Sequence, residues 1–443
     1  MKRRFIPLIA ALCVCGSLSA ADDVATVAPD TTPPNQSFEL GLQLMTRGEI
    51  RRGGLPNVSG VRQDKANFIF ERTRLSIDYS YKWLSLRFTP QHTGVWGQKG
   101  GGTLGVYEAW AKLTAPNGLF AQVGRQALSY DDERILGSND WAMLPLAHDA
   151  LRIGYEGHNH KVHAIVTYNQ KAENMNGGTT YRSDEGAYPH KTLQTLWYHY
   201  DVPTFPLSAS FLVMNVGVEP QGEEEAKIRY QQLFGGYVSY SPDRWKAEGA
   251  YYHQTGKDEF GIPISAFMGS AKVTFTPSPV GRVSVGYDYL SGDDNPVVPQ
   301  VGAIGLVRRT KVRGFSTVYG SHHKFYGAMD FFYFSAYYGG YTPGLQNLYV
   351  CGDYSPVRNL TLTAGYHYLA VASKIQDADR TLGHELELSA SYNVMKFVRL
   401  SAGYSFMHGT HTLERLQQVE GKNKLHWGWI MLSVTPRIFS KKW

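Results

Sequence analysis

Segments of about ten residues in which apolar and polar side chains alternate recur along this sequence, and they constrain its fold more than any other feature. One segment runs from Leu360 to Tyr368 and another from Val398 to Phe406. A period of two is the pattern of a β-strand whose two faces meet different surroundings. No run of about 18 uninterrupted apolar residues follows residue 21, so the sequence predicts no membrane-spanning helix.

The connections between these segments alternate in length. Short turns such as Pro116-Asn117 and Val394-Met395 separate longer loops such as 128–148 and 291–343. Tight periplasmic turns and long outer loops are typical of outer-membrane barrels. We therefore predict an all-β fold, a single transmembrane antiparallel β-barrel of about 18 strands with short periplasmic turns and long extracellular loops.

A soluble all-β protein, such as a propeller or tandem sandwiches, is the alternative, because its strands also alternate. Two observations favour the barrel. Tyrosines such as Tyr79, Tyr168 and Tyr240 lie at the ends of the apolar faces, as in the aromatic girdles of membrane barrels. Charged residues make up only 19% of the chain, against about 25% in soluble domains.

The N-terminus predicts export. Basic residues at 2–4 precede a short apolar stretch, and Ser19-Ala20-Ala21 fits a cleavage site, so residues 1–21 are predicted to be a signal peptide. Residues 22–37 would then form a short periplasmic segment and residues 38–443 the transmembrane barrel. Cys351 would be the one remaining cysteine, which excludes an internal disulfide and a cysteine-built zinc site.

The polar faces of the strands predict what lines the lumen. The fourth strand, for example, offers Glu108 and Lys112. Inward-facing arginines in a narrow wet pore lower the barrier for anions. The alternative is that these charges only brace the barrel wall. The direction of the Arg125 side chain is left open. Its place in the alternation of Leu119, Ala121 and Val123 indicates that it faces outward, unless it lies at the rim. The candidate pathway residues from the polar faces are Arg47, Arg72, Arg74, Arg87, Glu108, Arg152, Arg229, Lys246, Arg282 and Arg399.

Residues 124–141, which read GRQALSYDDERILGSNDW, resemble the signature segment of the bacterial alginate-export outer-membrane porin family. The stretches 71–75, 106–110 and 325–330 resemble it too, and the similarity extends from about Phe38 to Phe439. The resemblance implies a monomeric 18-stranded barrel with an arginine-lined constriction that passes a linear polyuronate. By matching position it implies that Arg74, Arg125 and Arg152 form the constriction, with acidic partners Glu108, Asp131 and Glu133.

We predict an outer-membrane diffusion channel, a porin, for an anionic solute such as alginate or its fragments. Two alternatives stay open: a general or nutrient porin without anion selectivity, and a plugged barrel acting as a surface-interaction protein. The expected partners are an anionic saccharide or organic anion, outer-membrane lipid and the barrel-assembly machinery. A periplasmic partner is left open, no nucleic acid is expected, and the barrel is expected to be a monomer.

No enzyme activity, cofactor or metal is predicted. The sequence has no Gly-x-Ser-x-Gly elbow of a serine hydrolase. The carboxylates Asp131-Asp132 and Asp293-Asp294 are candidates for Ca²⁺, against the alternative that they belong to ordinary turns. The 291–343 loop is too long for a simple turn, and we expect it to fold into or over the lumen and gate it.

Overall fold

The computed structural model describes residues 36–52, 65–170, 173, 175, 190–219, 228–293, 310–330, 342–375, 378–417 and 424–443. The barrel forms one compact unit, Pro34–Trp443. The predicted signal peptide and most of the predicted periplasmic segment lie outside the described residues. The first strand begins at Gln36, two residues before the expected start of the barrel.

In the described residues, nineteen strand segments build the wall, and the last two form one interrupted strand. They are β1 (Gln36–Arg52), β2 (Ala66–Tyr81), β3 (Leu84–Val95), β4 (Thr103–Thr114), β5 (Leu119–Gln126), β6 (His148–Gly157), β7 (His160–Tyr168), β8 (Thr192–Asp201), β9 (Leu207–Val218), β10 (Arg229–Tyr240), β11 (Trp245–Lys257), β12 (Pro263–Ser278), β13 (Gly281–Leu290), β14 (Leu345–Val357), β15 (Leu360–Ala370), β16 (Thr381–Met395), β17 (Val398–Gly409), β18 (Lys424–Val434) and β19 (Arg437–Lys442).

The sheet closes on itself. Each strand pairs antiparallel with its neighbours in sequence, and β1 pairs with β2 on one side and with β18 and β19 on the other. Thr435-Pro436 interrupts the final strand, since proline has no N–H to give to the ladder. The result is a closed barrel of eighteen strands, which leaves no free sheet edge and confirms the predicted fold class.

The two faces of the wall differ as the alternation predicts. Outward-facing apolar side chains such as Leu362, Leu388 and Ile430 are exposed, while Arg72 and Glu385, which face inward, are almost completely buried. An apolar outer band is what a barrel wall needs in lipid. The described helices are α1 (His411–Gln417) and a 3₁₀ turn, His322–Lys324. No helix in the described ranges is long and apolar enough to cross a membrane.

Two loop segments fold into the barrel from its extracellular end. Residues 127–147 join β5 to β6, and residues 310–330 belong to the long connection between β13 and β14. They contact each other through a parallel bridge between Leu136 and Tyr319. The Gly137 N–H donates to the Tyr319 carbonyl oxygen at 2.9 Å. The two inserted segments therefore support each other inside the wall.

The inserted segments give the extracellular half of the barrel an apolar core. Leu128 and Phe315 are fully buried against inward-facing wall residues such as Met214 and Leu369. The expectation that the long loop folds into the lumen therefore holds for residues 310–330, while 294–309 and 331–341 lie outside the described residues. The expected gating by this loop stays a prediction. The lumen is accordingly narrower at its extracellular end than the polar faces alone suggested.

Candidate functional site

Three predicted pathway arginines on β1 and β2 hold the inserted 127–147 loop against the wall. Arg72 donates from Nη1 to the carbonyl oxygens of Asp140 at 3.0 Å and Ala142 at 2.7 Å. Arg47 donates to the Trp141 carbonyl at 3.1 Å, and Arg74 donates to Asp140 Oδ1 at 2.7 Å. The loop therefore covers these guanidinium groups and separates them from the open part of the lumen.

In the ion pairs on this side of the wall, arginines outnumber carboxylates. Glu49 forms ion pairs with both Arg47 and Arg51, each at 2.9 Å. Asp140 likewise pairs with Arg72 at 3.3 Å and with Arg74 at 2.7 Å. Each carboxylate thus serves two permanent cations, which leaves positive charge on this side of the lumen.

Arg134, in the inserted 127–147 loop, is a central residue that the sequence analysis did not select. It is 4% exposed and pairs with Asp132 at 2.9 Å and with Asp288 of β13 at 3.0 Å. Burial alone would lower the pKa of Arg134, but the carboxylates of Asp288 and Asp132 raise it well above its ordinary value. The sequence signal that could have identified Arg134 was the run of charged residues Asp131–Arg134. The candidates were taken from the polar faces of strands, and this run lies in a loop.

Asp131 and Glu133 lie in the same loop and hold it in place. Asp131 accepts hydrogen bonds from Trp197 Nε1 at 3.1 Å and from the Ser210 hydroxyl. Glu133 accepts from Lys324 Nζ at 2.5 Å and from Ser321 at 2.7 Å, so it joins the two inserted segments. Burial alone would raise the pKa of Glu133, but the hydrogen bonds from Lys324, Ser129 and Ser321 lower it below its ordinary value.

The family resemblance implied that Asp131 and Glu133 are the acidic partners of the constriction arginines, and these contacts correct that prediction. Neither Asp131 nor Glu133 pairs with Arg74, Arg125 or Arg152 within the described residues. Their partners lie instead on the walls and on the second inserted segment, a long-range arrangement that position in a motif does not reveal.

Arg125 faces outward, so the implied place in the constriction is wrong for this residue. It has the phase of Leu119 and Val123, whose side chains are exposed on the outer face of β5. Its guanidinium donates to Asp149 Oδ2 at 3.0 Å and to the Val106 carbonyl at 2.8 Å. The alternation along β5 determines this direction, because a residue two positions from Val123 points to the same face.

A basic and aromatic patch lies on the lumen wall of β4, β5 and β6. Lys112 Nζ is 4.2 Å from the Phe120 ring centroid, and Arg152 Cζ is 5.6 Å from it. Arg152 donates to Gln122 Oε1 at 2.5 Å and to the Tyr130 hydroxyl at 3.4 Å, both neutral groups. In the part of the chain that the structure describes, neither cation forms an ion pair with a carboxylate. We call Lys112, Phe120 and Arg152 the β4–β6 patch.

Most of the other predicted pathway residues are already engaged. Arg87 pairs with Asp78 at 2.7 Å and with Glu108 at 3.3 Å. Lys246 and Lys272 share Glu248, at 2.8 and 2.7 Å. The remaining contacts are Arg282 with Asp353 at 2.5 Å, Arg399 with Asn393 at 2.9 Å and Arg229 with the Glu259 carbonyl oxygen. Within the described residues, Lys112, Arg152 and Arg399 are thus predicted pathway cations that form no ion pair with a carboxylate, and two of these three belong to the β4–β6 patch.

The calcium candidates have other partners. Asp132 pairs with Arg134, and Asp293 Oδ1 accepts the backbone N–H groups of Arg313 at 2.7 Å and Gly314 at 3.2 Å. Asp294 lies outside the described residues. Across the described ranges, no group of three or more His, Cys, Asp or Glu side chains is arranged to hold a metal ion.

Comparisons with known proteins agree with this architecture. The family model described as alginate export matches residues 104–380. No curated protein sequence matches significantly.

Among solved structures, Pseudomonas aeruginosa OpdL is 13% identical with a TM-score of 0.61, and the match covers 91% of this chain and 99% of that one. Acinetobacter baumannii OccAB1 is 11% identical, with a TM-score of 0.61 and coverage of 91% and 97%. A BenF-like porin from Pseudomonas fluorescens Pf-5 is 14% identical, with a TM-score of 0.59 and coverage of 90% and 99%. At these identities the likeness concerns the fold.

Proposed function

Because the chain belongs to the alginate export family, we propose that it conducts an acidic saccharide, such as alginate or its fragments, through its lumen. The family assignment confirms the resemblance predicted from residues 124–141. The protein is an outer-membrane channel with the barrel of a porin. The selectivity for anions and the nature of the solute are the proposed part.

The β4–β6 patch is the observation that carries this proposal. A polyuronate has a carboxylate on every sugar ring. Lys112 and Arg152 lie beside the Phe120 ring, which is only 4% exposed and packs against the His163 imidazole. The buried ring therefore helps to position the two cations and does not itself contact the solute. Charge-assisted hydrogen bonds to a carboxylate are the strong ones, so the patch matches the charge of the solute.

The surrounding charges support transit more than tight binding. Each of Glu49, Asp140 and Glu248 pairs with two cations, so the lumen wall carries excess positive charge near these groups. Next to the patch the balance is reversed, because two carboxylates, Asp78 and Glu108, share the single cation Arg87. Conduction requires that a solute enter favourably and still leave, and neighbouring charges of both signs meet that requirement.

Current block in a planar bilayer tests the proposal. Alginate oligomers should interrupt the current through the wild-type channel, and neutral glucose oligomers of similar length should not. Charged hydrogen bonds contribute about 1.5–3 kcal/mol each, so the variant Lys112→Gln with Arg152→Gln should require about tenfold more alginate oligomer or higher. Arg125→Gln is the matched control, because Arg125 faces outward.

Three outcomes of that experiment would contradict the proposal. Equal block of the double variant and the wild type would remove the patch from the pathway. Equal block by neutral oligomers would favour a general porin. A barrel that inserts but conducts no current would favour the plugged, surface-interacting alternative, for which the apolar core in the extracellular half would be the structural basis.

The remaining parts of the proposal concern export and partners. We propose that residues 1–21 act as the signal peptide, that the segment after them lies in the periplasm up to the first strand at Gln36, and that the barrel-assembly machinery inserts the chain as a monomer. Outer-membrane lipid surrounds the exposed apolar band. The chain has no catalytic role, in keeping with a family and fold of transport channels.

A further inference from the structure

Basic side chains lie together on the outer face of the barrel at the extracellular ends of four neighbouring strands. His384 of β16 is opposite His408 of β17, and His408 is opposite Lys424 of β18. His426 of β18 is opposite Arg52 of β1. We call these five residues the outer rim belt.

The phase of each strand shows that the belt faces lipid and not the lumen. On β16, His384 shares its face with Leu386 and Leu388, whose side chains are exposed. On β1, Arg52 shares its face with Ile50, which is also exposed. Because residues two apart on a strand point the same way, the belt continues the apolar outer wall upward to its extracellular edge.

Tyrosines hold two of the belt imidazoles in defined positions. The Tyr366 hydroxyl lies 2.7 Å from His384 Nδ1, and the Tyr404 hydroxyl lies 2.6 Å from His426 Nδ1. With the tyrosine hydroxyl donating to Nδ1, each imidazole keeps an N–H at Nε2. The two rings therefore offer hydrogen-bond donors even when they are uncharged.

The belt has no acidic partner in the described residues. None of its five side chains forms an ion pair with a carboxylate there, although two of them, Arg52 and Lys424, are ordinarily charged. On another part of the outer face, near the extracellular end of β5, Arg125 pairs with Asp149 at 3.0 Å. Arg125 thus obtains its counter-charge from the protein, whereas the described residues provide none for the belt.

We propose that the outer rim belt binds the phosphate groups of a phosphorylated glycolipid in the outer leaflet. Cations at a lipid-facing surface are unfavourable unless an anion compensates them, and the headgroup layer at this edge of the wall can supply one. The tyrosines beneath the belt lie where aromatic girdles contact the membrane interface. The surrounding apolar wall would contact the acyl chains of the same lipid.

Thermal unfolding of the full-length barrel in detergent tests this proposal, with purified lipid A carrying both phosphates as the probe. A ligand that binds the folded state raises the unfolding temperature. Phosphorylated lipid A should raise it for the wild type and for the control Arg125→Gln. In the variant Arg52→Gln, His408→Gln and Lys424→Gln, the affinity obtained from the shift should fall about tenfold or more.

Two further probes identify the source of the phosphate. Dephosphorylated lipid A and inorganic phosphate should each give a much smaller shift than phosphorylated lipid A in the wild type. An equal shift with dephosphorylated lipid A, with inorganic phosphate, or in the triple variant would overturn the proposal. The unfolding temperature without lipid and the unitary conductance show whether the triple variant is folded. If it is not, the single variant Lys424→Gln is titrated instead, and unchanged affinity there has the same meaning.

Discussion

The imidazole of His323 stacks on the indole of Trp141, with ring centroids 4.4 Å apart and an angle of 5° between the planes. The contact joins the two inserted segments, since Trp141 belongs to 127–147 and His323 to 310–330. Arg47 of the wall also lies over the Trp141 ring, at 4.0 Å. Trp141 thus connects both inserted segments to β1. A substitution of Trp141 therefore tests most directly whether these segments limit the width of the lumen.

Replacing Trp141 with alanine should loosen the inserted segments and raise the single-channel conductance. An aromatic contact contributes about 0.5–1.5 kcal/mol beyond its buried area, and this variant also removes the indole that Arg47 covers. Single-channel recording in a planar bilayer measures the effect. Trp83→Ala is the control, because Trp83 is exposed beside a periplasmic turn. Conductance that stays at the wild-type level would show that these segments do not limit the current.

Replacing Arg134 with glutamine should destabilise the barrel strongly. The change leaves the buried carboxylate of Asp288 without its cation, and removing one partner of a buried pair costs about 3–5 kcal/mol. Denaturant unfolding followed by tryptophan fluorescence measures the loss. Arg282→Gln is the matched control, since its pair with Asp353 is partly exposed and should contribute only about 0–1 kcal/mol. A similar loss in both variants would contradict the central role of Arg134.

Acid should release the 310–330 segment. Burial lowers the pKa of both His190 and His322 to about 4, and His190 Nδ1 lies 2.5 Å from the Tyr319 hydroxyl. Since these folded-state pKa values lie below the ordinary 6.5, the stability that the neutral imidazoles contribute is present above that pH. It is lost as the pH falls through about 4.

The hydrogen bonds of Glu133 act in the same direction, because its pKa is also lowered and its carboxylate becomes protonated in acid. We therefore expect the conductance to rise, or to fluctuate between levels, as the pH is lowered from neutral to about 4. Recording the wild type beside His190→Gln with His322→Gln separates the contributions. A conductance independent of pH over this range would contradict the acid release, as would a double variant with the full wild-type response.

Period-two alternation was sufficient to predict the wall of this protein. It identified the β-strands, their approximate number and the outward face that carries Leu362 and Leu388. For Arg125 it left the direction open, and the structure follows the alternation of Leu119 and Val123, not the place in the constriction that similarity to a family motif implied. Alternation succeeds because it depends only on neighbouring residues of one strand.

The inserted segments could not be predicted in the same way. Arg47 and Arg72 do face inward as expected, but their contacts are with residues 140–142, far away in sequence. The role of Arg134 likewise depends on Asp288 of β13. These contacts arise only after the barrel has closed around the loops, so local patterns show which side chains point inward and not which of them a solute can reach.

The central proposal is that lumenal cations without an ion-pair partner among the described residues make this channel select anions, and the reversal potential under a salt gradient tests it most directly. Purified wild-type protein in a planar bilayer should show a reversal potential of the sign expected for anion preference. Lys112→Gln with Arg152→Gln should shift that potential toward zero, and Arg125→Gln should leave it unchanged. A wild-type channel that prefers cations or discriminates between neither sign would contradict the claim.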